Sequence, residues 1–267
     1  MPRYLAFDLE TARVLPDDTP DVMAHRPLGI SCAAAFGDGL REPLLWYGQT
    51  ADGRPSPQMR RDEVAALVRD LDARVAQGYT LVTWNGLGFD FDVLAEESGE
   101  HAACVRLALA HVDLMFDLHC RKGHPVALQK AAEAHGLPGK LAGVQGAQAP
   151  AAWAAGRHDE VLRYCAQDAR LTFEVARAAE AAGALRWTTA RGTQSACPLG
   201  AGWNTVAEAL RLPLPDTSWM RQPVPRERFA AWLGAASHPA APLPDAPRPS
   251  WAPLQAALSR LRLLLSS

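Results

Sequence analysis

Two carboxylates stand close together near the start of the chain, in the stretch YLAFDLET. The stretch is typical of a β-strand, which turns Leu5, Phe7 and Leu9 to one face. Asp8 and Glu10 then share the other face, where like charges repel each other and resist burial. Two interpretations follow. The strand is an exposed edge strand with solvated acids, or a core strand whose acids bind a hard divalent cation such as Mg²⁺.

Two later segments carry similar chemistry. In WNGLGFDFDVL, Asp90 begins a helix directly after a short β-rich run, and Asn85 lies in the turn between them. Functional residues of doubly wound folds gather where strands end and helices begin. In YCAQDARLT, Tyr164 and Asp168 stand four residues apart on a long helix and therefore share a face. Asp92 is turned roughly 200° away from Asp90 on a helix, so the two acids do not share a face.

These three segments resemble the motifs of the DEDD superfamily of 3′–5′ exonucleases, which have a ribonuclease H-like fold. FDLET is similar to the first motif, and N-x-x-x-F-D, from Asn85 to Asp90, is similar to the second. Y-x-x-x-D, from Tyr164 to Asp168, is similar to the third. Arg163 stands where the histidine subtype would carry His, so the chain resembles the tyrosine (DEDDy) subtype. The resemblance spans roughly residues 3–183 and is strongest to the proofreading domains of family B DNA polymerases.

The resemblance implies a two-metal mechanism with Mg²⁺ or Mn²⁺, in which ions about 3.5–4 Å apart serve the attacking and leaving oxygens. Asp8 would bridge both ions, and Glu10 and Asp168 would help hold the ion that activates water. Asp90 would serve the second ion mainly through its waters. Tyr164 would orient the attacking water, because a phenol with a pKa near 10 is poorly suited to accept a proton at neutral pH.

Substrate contacts are expected from Thr11, Asn85, Phe89 and Arg26. Asn85 is equally well interpreted as a turn residue. The loop 12–27 directly follows the first motif, and long loops beside sites are commonly functional. His25 in this loop could meet phosphate together with Arg26.

Several other polar and aromatic side chains allow two interpretations. Asp113 and Asp117 are expected to face solvent or to support the site indirectly. The histidines have no convincing metal spacing, so a surface or core position is favoured for them. The tryptophans could stack nucleic-acid bases, although packing is the commoner role. The residues concerned are His111, His119, His124 and His135, and Trp84, Trp187, Trp203 and Trp219.

The elements that must position these residues alternate between strands and helices after an initial hairpin. This order predicts an α/β class: a ribonuclease H-like mixed sheet flanked by helices, with an irregular C-terminal extension. The hairpin is centred on Gly37-Asp38-Gly39. Helices are predicted at 60–78, 88–99, 125–136 and 158–183, a short one at 204–213, and further strands at 79–86 and 111–118.

The domain prediction places an exonuclease domain at 1–186 and an extension at 187–237 that packs on or near it. A Pro-rich linker at 238–250 and an amphipathic C-terminal helix at 251–267 complete the chain. The helix could dock back on the core or recruit a protein partner.

Bulk composition excludes several classes. The 267 residues carry a net charge of −2, so nucleic acid must be bound by a local patch rather than by an overall positive field. The five cysteines form no CxxC pair, which argues against zinc fingers and disulfide frameworks. The sequence has no signal-peptide core and no apolar run near the roughly 18 residues of a membrane span. A cytoplasmic location without membrane contact is therefore expected.

The expected function is a 3′–5′ exonuclease that acts on single-stranded 3′ ends. DNA is favoured because the strongest resemblance is to proofreading domains, but RNA and short oligonucleotides remain open. An inactive nucleic-acid-binding module is the alternative from another class, although all four acids and Tyr164 are present. A paired-carboxylate glycosidase would explain Asp8 and Glu10 but not the Y-x-x-x-D helix.

Overall fold

A five-stranded mixed sheet forms the centre of the protein. The computed structural model describes residues 2–139 and 146–234. Its strands are β1 (Arg3–Thr11), β2 (Ile30–Gly37), β3 (Leu44–Tyr47), β4 (Tyr79–Thr83) and β5 (Val112–Asp113), in the spatial order β3-β2-β1-β4-β5. The first three are antiparallel neighbours, whereas β4 and β5 run parallel to β1. This arrangement confirms the predicted ribonuclease H-like α/β class and the predicted hairpin.

Helices cover both faces of the sheet. Leu5, Phe7 and Leu9 belong to one core cluster, with side chains from α1, α2 and α3, while Tyr4 and Ala6 belong to a second cluster with α7. The predicted alternation of faces along β1 is therefore confirmed. The helices of the described residues are α1 (Arg61–Ala76), α2 (Asp90–Ser98), α3 (His101–Ala110), α4 (Leu114–Lys122), α5 (Leu128–Ala134), α6 (Ala149–Ala154), α7 (His158–Ala182), α8 (Val206–Ala209) and α9 (Glu227–Ala230).

The strand predicted at 111–118 is wrong beyond its first residues. Only Val112 and Asp113 pair with β4, and the chain then continues as α4. The reason is local: the Asp113 side chain accepts a hydrogen bond from the Phe116 N–H at 3.0 Å and caps the helix. Asp113 and Asp117 are each 1% exposed, so neither faces solvent. The helix α3 was not predicted.

The described part of the C-terminal extension begins with regular structure. Strands β6 (Ala184–Thr188) and β7 (Gln194–Pro198) form a separate antiparallel hairpin, and the predicted boundary at 186 lies inside β6. Further along, Trp232 is buried in the core cluster of α1–α3. The predicted linker 238–250 and helix 251–267 lie outside the described residues.

A membrane-spanning helix is not found: within 2–139 and 146–234, no helix is both long enough and apolar enough.

Candidate active site

The central strand β1 carries the first two acids. Asp8 lies opposite Ala34 of β2 and Glu10 opposite Cys32, with β4 pairing on the other edge of β1. The interpretation of β1 as an exposed edge strand is therefore wrong. Since Ala6 faces α7, alternation turns Asp8 and Glu10 toward α7 as well. Glu10 is 7% exposed, so this carboxylate is almost completely withdrawn from water.

The long helix α7 faces these acids with Tyr164 and Asp168. Both are buried, at 6% and 5% exposure. The facing side of β2 carries Ala34 in one cluster with Tyr164 and Ala169, and such small side chains allow the helix to approach the sheet closely. The one-turn spacing on α7 therefore brings the phenol of Tyr164 and the third carboxylate, that of Asp168, over the same part of β1.

The turn between β4 and α2 supplies the fourth acid. Asp90 is the first residue of α2, is 4% exposed, and accepts a hydrogen bond from the Leu9 N–H at 3.1 Å. This bond ties Asp90 to the strand that carries Asp8 and Glu10. Earlier in the turn, Asn85 adopts φ 72°, a left-handed conformation that asparagine tolerates better than most residues.

One cavity of about 350 Å³ collects these side chains. Of the residues predicted from the sequence, eight line it: Asp8, Glu10, Thr11, Asn85, Phe89, Asp90, Tyr164 and Asp168. Its outer walls come from the loop after β1 and from residues 146–150. Three segments that are far apart in the chain thus meet at one concave surface. Together with Asp17 of the loop after β1, they bring five carboxylates and one phenol to it.

Arg26 is not among the residues that line this cavity. Its guanidinium forms ion pairs with Asp92 and Glu96 of α2. The turn of α2 that takes Asp92 away from Asp90 accounts for this pairing. Arg13 lies at the cavity instead, and among the described lining residues it is the only Lys or Arg. Its position two residues after Thr11 was the available signal. The prediction instead chose His25 and Arg26, which lie further along the same loop.

The tryptophans occupy different environments. Trp84 lines the cavity. Trp187 is buried in the core, and Trp203 is half-buried with its indole N–H donating to the Ala176 carbonyl. Trp219 is 67% exposed. Of these four tryptophans, Trp84 alone is therefore placed to contact something bound in the cavity.

Burial has large effects on the ionisable groups. It raises the pKa of Asp90 to about 7, with a further contribution from the charge of Asp113. Burial raises the pKa of Tyr164 far above its ordinary value, and the carboxylates of Asp168, Glu10 and Asp8 raise it further. The phenol therefore stays protonated at neutral pH and is suited to hydrogen bonding rather than to accepting a proton.

The donor set suits a hard divalent cation. A carboxylate oxygen of Asp8, one of Glu10 and the Cys165 sulfur lie within 4.8 Å of one another. Burial raises the pKa of the Cys165 thiol well above its ordinary value, and its S–H points to the Asp8 carbonyl at 3.5 Å. Since a thiol must ionise to ligate a metal, the available ligands are oxygens, which Mg²⁺ and Mn²⁺ prefer over softer donors.

Comparison with known proteins adds a family relationship for one part of the chain. Residues 102–194 match a family described as predicted 3′–5′ exonucleases related to the exonuclease domain of PolB. This range contains Tyr164 and Asp168 but not Asp8, Glu10 or Asp90. No curated protein matches the sequence significantly.

Two solved structures are similar in fold at low identity. One is the family B DNA polymerase from the hyperthermophilic archaeon Pyrobaculum calidifontis, with 18% identity and a TM-score of 0.49 over 67% of this chain. The other is exonuclease I, with 15% identity and a TM-score of 0.36 over 68% of this chain. The matched region spans 25% of the polymerase chain and 41% of the exonuclease I chain.

Proposed function

We propose that this chain, which is related to the 3′–5′ exonuclease superfamily, is a metal-dependent exonuclease that removes nucleotides from single-stranded 3′ ends. One observation carries the proposal: Asp8, Glu10, Asp90, Tyr164 and Asp168 converge on a single cavity. Carboxylates that converge on one cavity repel each other, and divalent cations with oxygen ligands are the groups that such a cluster binds best.

Asp8, Glu10, Asp90 and Asp168 would hold Mg²⁺ or Mn²⁺, two ions being the expectation. Bound ions of this kind neutralise charge on a phosphate and lower the pKa of water. The chain's own residues orient the attacking water. The protonated phenol of Tyr164 positions a water whose oxygen bonds to phosphorus. The bond from phosphorus to the 3′ oxygen breaks, that oxygen takes up a proton, and a nucleoside 5′-monophosphate leaves.

The remaining cavity residues would hold the terminal nucleotide. Phe89 offers a ring for the base, Thr11 and Asn85 offer hydrogen-bonding groups, and the guanidinium of Arg13 offers a positive charge to the phosphate at the rim. A volume of about 350 Å³ falls at the lower end of the roughly 300–1,000 Å³ of ordinary ligand sites. It suits one unpaired nucleotide better than a paired end, which supports a single-stranded substrate.

DNA is the proposed substrate rather than RNA, on the strength of the motif resemblance to proofreading domains. The contacts that distinguish a 2′-hydroxyl are left to experiment. A cytoplasmic location and a protein partner for the C-terminal helix likewise remain predictions.

Degradation of 5′-labelled single-stranded DNA and of the same sequence as RNA, with Mn²⁺, tests the function. We expect a ladder that shortens from the 3′ end, stops with chelator and is absent for Asp8→Ala. A ladder on RNA alone would make the protein an exoribonuclease. Unchanged strands, bound equally with and without metal, would replace the proposal with a binding module.

A further inference from the structure

The turn between β4 and α2, residues 84–89, positions four of the residues that line the cavity: Trp84, Asn85 and Phe89 within it and Asp90 directly after it. It contains Asn85, which lines the cavity in a left-handed conformation, and it leads directly into Asp90. A short turn of this kind keeps one conformation only if its backbone groups find fixed partners. We call residues 84–89 the motif turn.

Asp113 holds the motif turn from the side of β5. Its Oδ1 accepts hydrogen bonds from the Asn85 N–H at 2.9 Å and the Phe116 N–H at 3.0 Å. Its Oδ2 accepts a hydrogen bond from the Leu87 N–H at 2.9 Å. Since Asp113 is 1% exposed, water does not compete for these bonds, and a charged acceptor makes them stronger than neutral ones.

The C-terminal extension holds the same turn from the other side. The indole N–H of Trp232 donates to the Leu87 carbonyl at 2.7 Å, and Trp232 is 8% exposed. Phe229 lies against Gly88, since a Cβ placed on Gly88 would come 2.8 Å from the Phe229 ring. The edge of the Trp232 ring also packs on His101 of α3, with centroids 5.9 Å apart.

We infer that the C-terminal extension is part of the active-site scaffold: Trp232 and Asp113 grip the Leu87 residue at its carbonyl and its N–H, and so position Asn85 and Asp90. Both are positioning residues, because neither lines the cavity. The consequence for turnover rests on the proposed nuclease function. The hydrogen bonds from Trp232 and Asp113 to Leu87 are independent of that function.

Trp232→Phe tests the extension's contribution, because it removes the indole N–H and keeps an aromatic ring in the core. Trp203→Phe is the matched control. Its indole N–H also donates to a backbone carbonyl, that of Ala176 at 3.3 Å, but it does not reach the motif turn. Any general loss from removing such a bond is common to both variants.

Amide hydrogen exchange gives the readout that is independent of activity. We expect the amides of Asn85 and Leu87 to exchange about tenfold faster in Trp232→Phe, and at the wild-type rate in Trp203→Phe. Equal exchange of these amides in both variants would overturn the inference. If the wild type degrades no strand at all, the exchange result still tests whether Trp232 positions the motif turn. A failure of the proposed function is therefore distinguishable from a failure of this inference.

Turnover gives the second readout. Displacement of a catalytic group by about 1 Å can cost up to about 100-fold in rate. We therefore expect Trp232→Phe to lower kcat by about tenfold or more with KM nearly unchanged, and Trp203→Phe to leave kcat intact. A purely structural role would lower the melting temperature of both variants without a difference in kcat.

Asp113→Asn weakens the hydrogen bond at the other end of Leu87, the one that its N–H donates. The amide oxygen can keep the bonds to Asn85 and Phe116, but its NH₂ group must then face the Leu87 N–H. The variant should reproduce the faster exchange and the lower kcat of Trp232→Phe. Wild-type exchange at Leu87 in a folded Asp113→Asn protein would contradict the inference.

Discussion

The two ends of the contact between β1 and α7 both carry charged side chains, but they are built differently. At the end beyond the cavity, the Arg177 guanidinium pairs with Asp38 and Glu180, which are 31% and 23% exposed. Tyr4 donates its hydroxyl to Glu180, and Arg177 stacks on the Tyr4 ring at 4.4 Å. Acids and base alternate there, so each charge has an opposite charge beside it. We call this set the paired end.

The cavity is different, because five carboxylates line it while Arg13 is the only Lys or Arg among the described lining residues. At the paired end, the favourable interactions are ion pairs and hydrogen bonds between residues of this chain, as in a structural network. The cavity gathers carboxylates on one concave surface, where the repulsion between like charges favours the binding of a cation. The difference teaches that acids gathered around a cavity indicate function, whereas acids and bases that alternate at a surface indicate structure.

Asp8→Asn and Asp38→Asn should break the comparison most strongly. At the cavity we expect Asp8→Asn to lower nuclease turnover by at least about 100-fold, the scale on which removal of one electrostatic group acts. Asp38→Asn should retain turnover. Calorimetric Mn²⁺ titration of both variants is the check, and undiminished Mn²⁺ affinity in a folded Asp8→Asn protein would remove Asp8 from the proposed ligands.

Acid pH should lower the stability of the protein through His111, which lies beside the motif turn. His111 is 1% exposed and lies between the Thr83 hydroxyl at 2.9 Å and the Ala108 carbonyl at 2.6 Å. The Gly86 N–H of the motif turn donates to the same Thr83 oxygen. Burial lowers the pKa of His111 to about 4 from an ordinary 6.5. Below pH 6.5 the unfolded chain therefore binds a proton that the folded protein does not.

The free energy of unfolding consequently falls as the pH falls from 6.5 to 4, by on the order of 3 kcal/mol for this residue. The raised pKa values of Asp90 and Asp113 act in the opposite direction, and they do so in the wild type and in a His111→Gln variant alike. The difference between the two proteins in melting temperature against pH isolates His111. Exposed His25→Gln is the control, and parallel curves for all three proteins would refute the prediction.

At the paired end, Arg177→Met should lower stability and leave turnover unchanged. The guanidinium is 25% exposed, so its ion pairs fall between surface and buried ones, and we expect a loss of about 1–2 kcal/mol. Urea unfolding measures it. Arg54→Met is the control, because its pair with Asp52 is 82% and 52% exposed and should be nearly neutral. A large fall in kcat for Arg177→Met would show that the paired end is coupled to the cavity.

The sequence was most informative where a pattern is local. Period-two alternation predicted both faces of β1, and helical spacing predicted α1 and α7 to within a few residues. The FDLET, N-x-x-x-F-D and Y-x-x-x-D spacings indicated side chains that the fold does bring to one cavity. Each of these predictions depends on neighbours within one element, which sequence order records directly.

Predictions that depend on tertiary contacts fared differently. The apolar residues after Asp113 fit a strand as well as a helix, and the Asp113 side chain, which accepts from the Phe116 N–H, caps α4. Arg26 looked like a phosphate ligand until α2 placed Asp92 and Glu96 beside it. The bond from Trp232 to the Leu87 carbonyl joins residues 145 positions apart. No local pattern records such a contact.

The smallest expected effects come from a matched pair of tyrosines, one at each end. Tyr164→Phe keeps the ring in its core cluster and removes only the hydroxyl that we propose to orient water. A lost hydrogen bond of this kind corresponds to about a tenfold fall in kcat, or about 1.4 kcal/mol. Mn²⁺ affinity should stay nearly intact, because the carboxylates remain.

Tyr4→Phe removes the hydroxyl that donates to Glu180, so it should lower stability by about 1 kcal/mol and leave kcat unchanged. Single-turnover rates and melting curves on both variants complete the comparison. If Tyr164→Phe loses Mn²⁺ affinity in proportion to its rate, then the phenol supports the carboxylates rather than the water. In that case the cavity would resemble the paired end, because a tyrosine hydroxyl would hold a carboxylate in place at both ends.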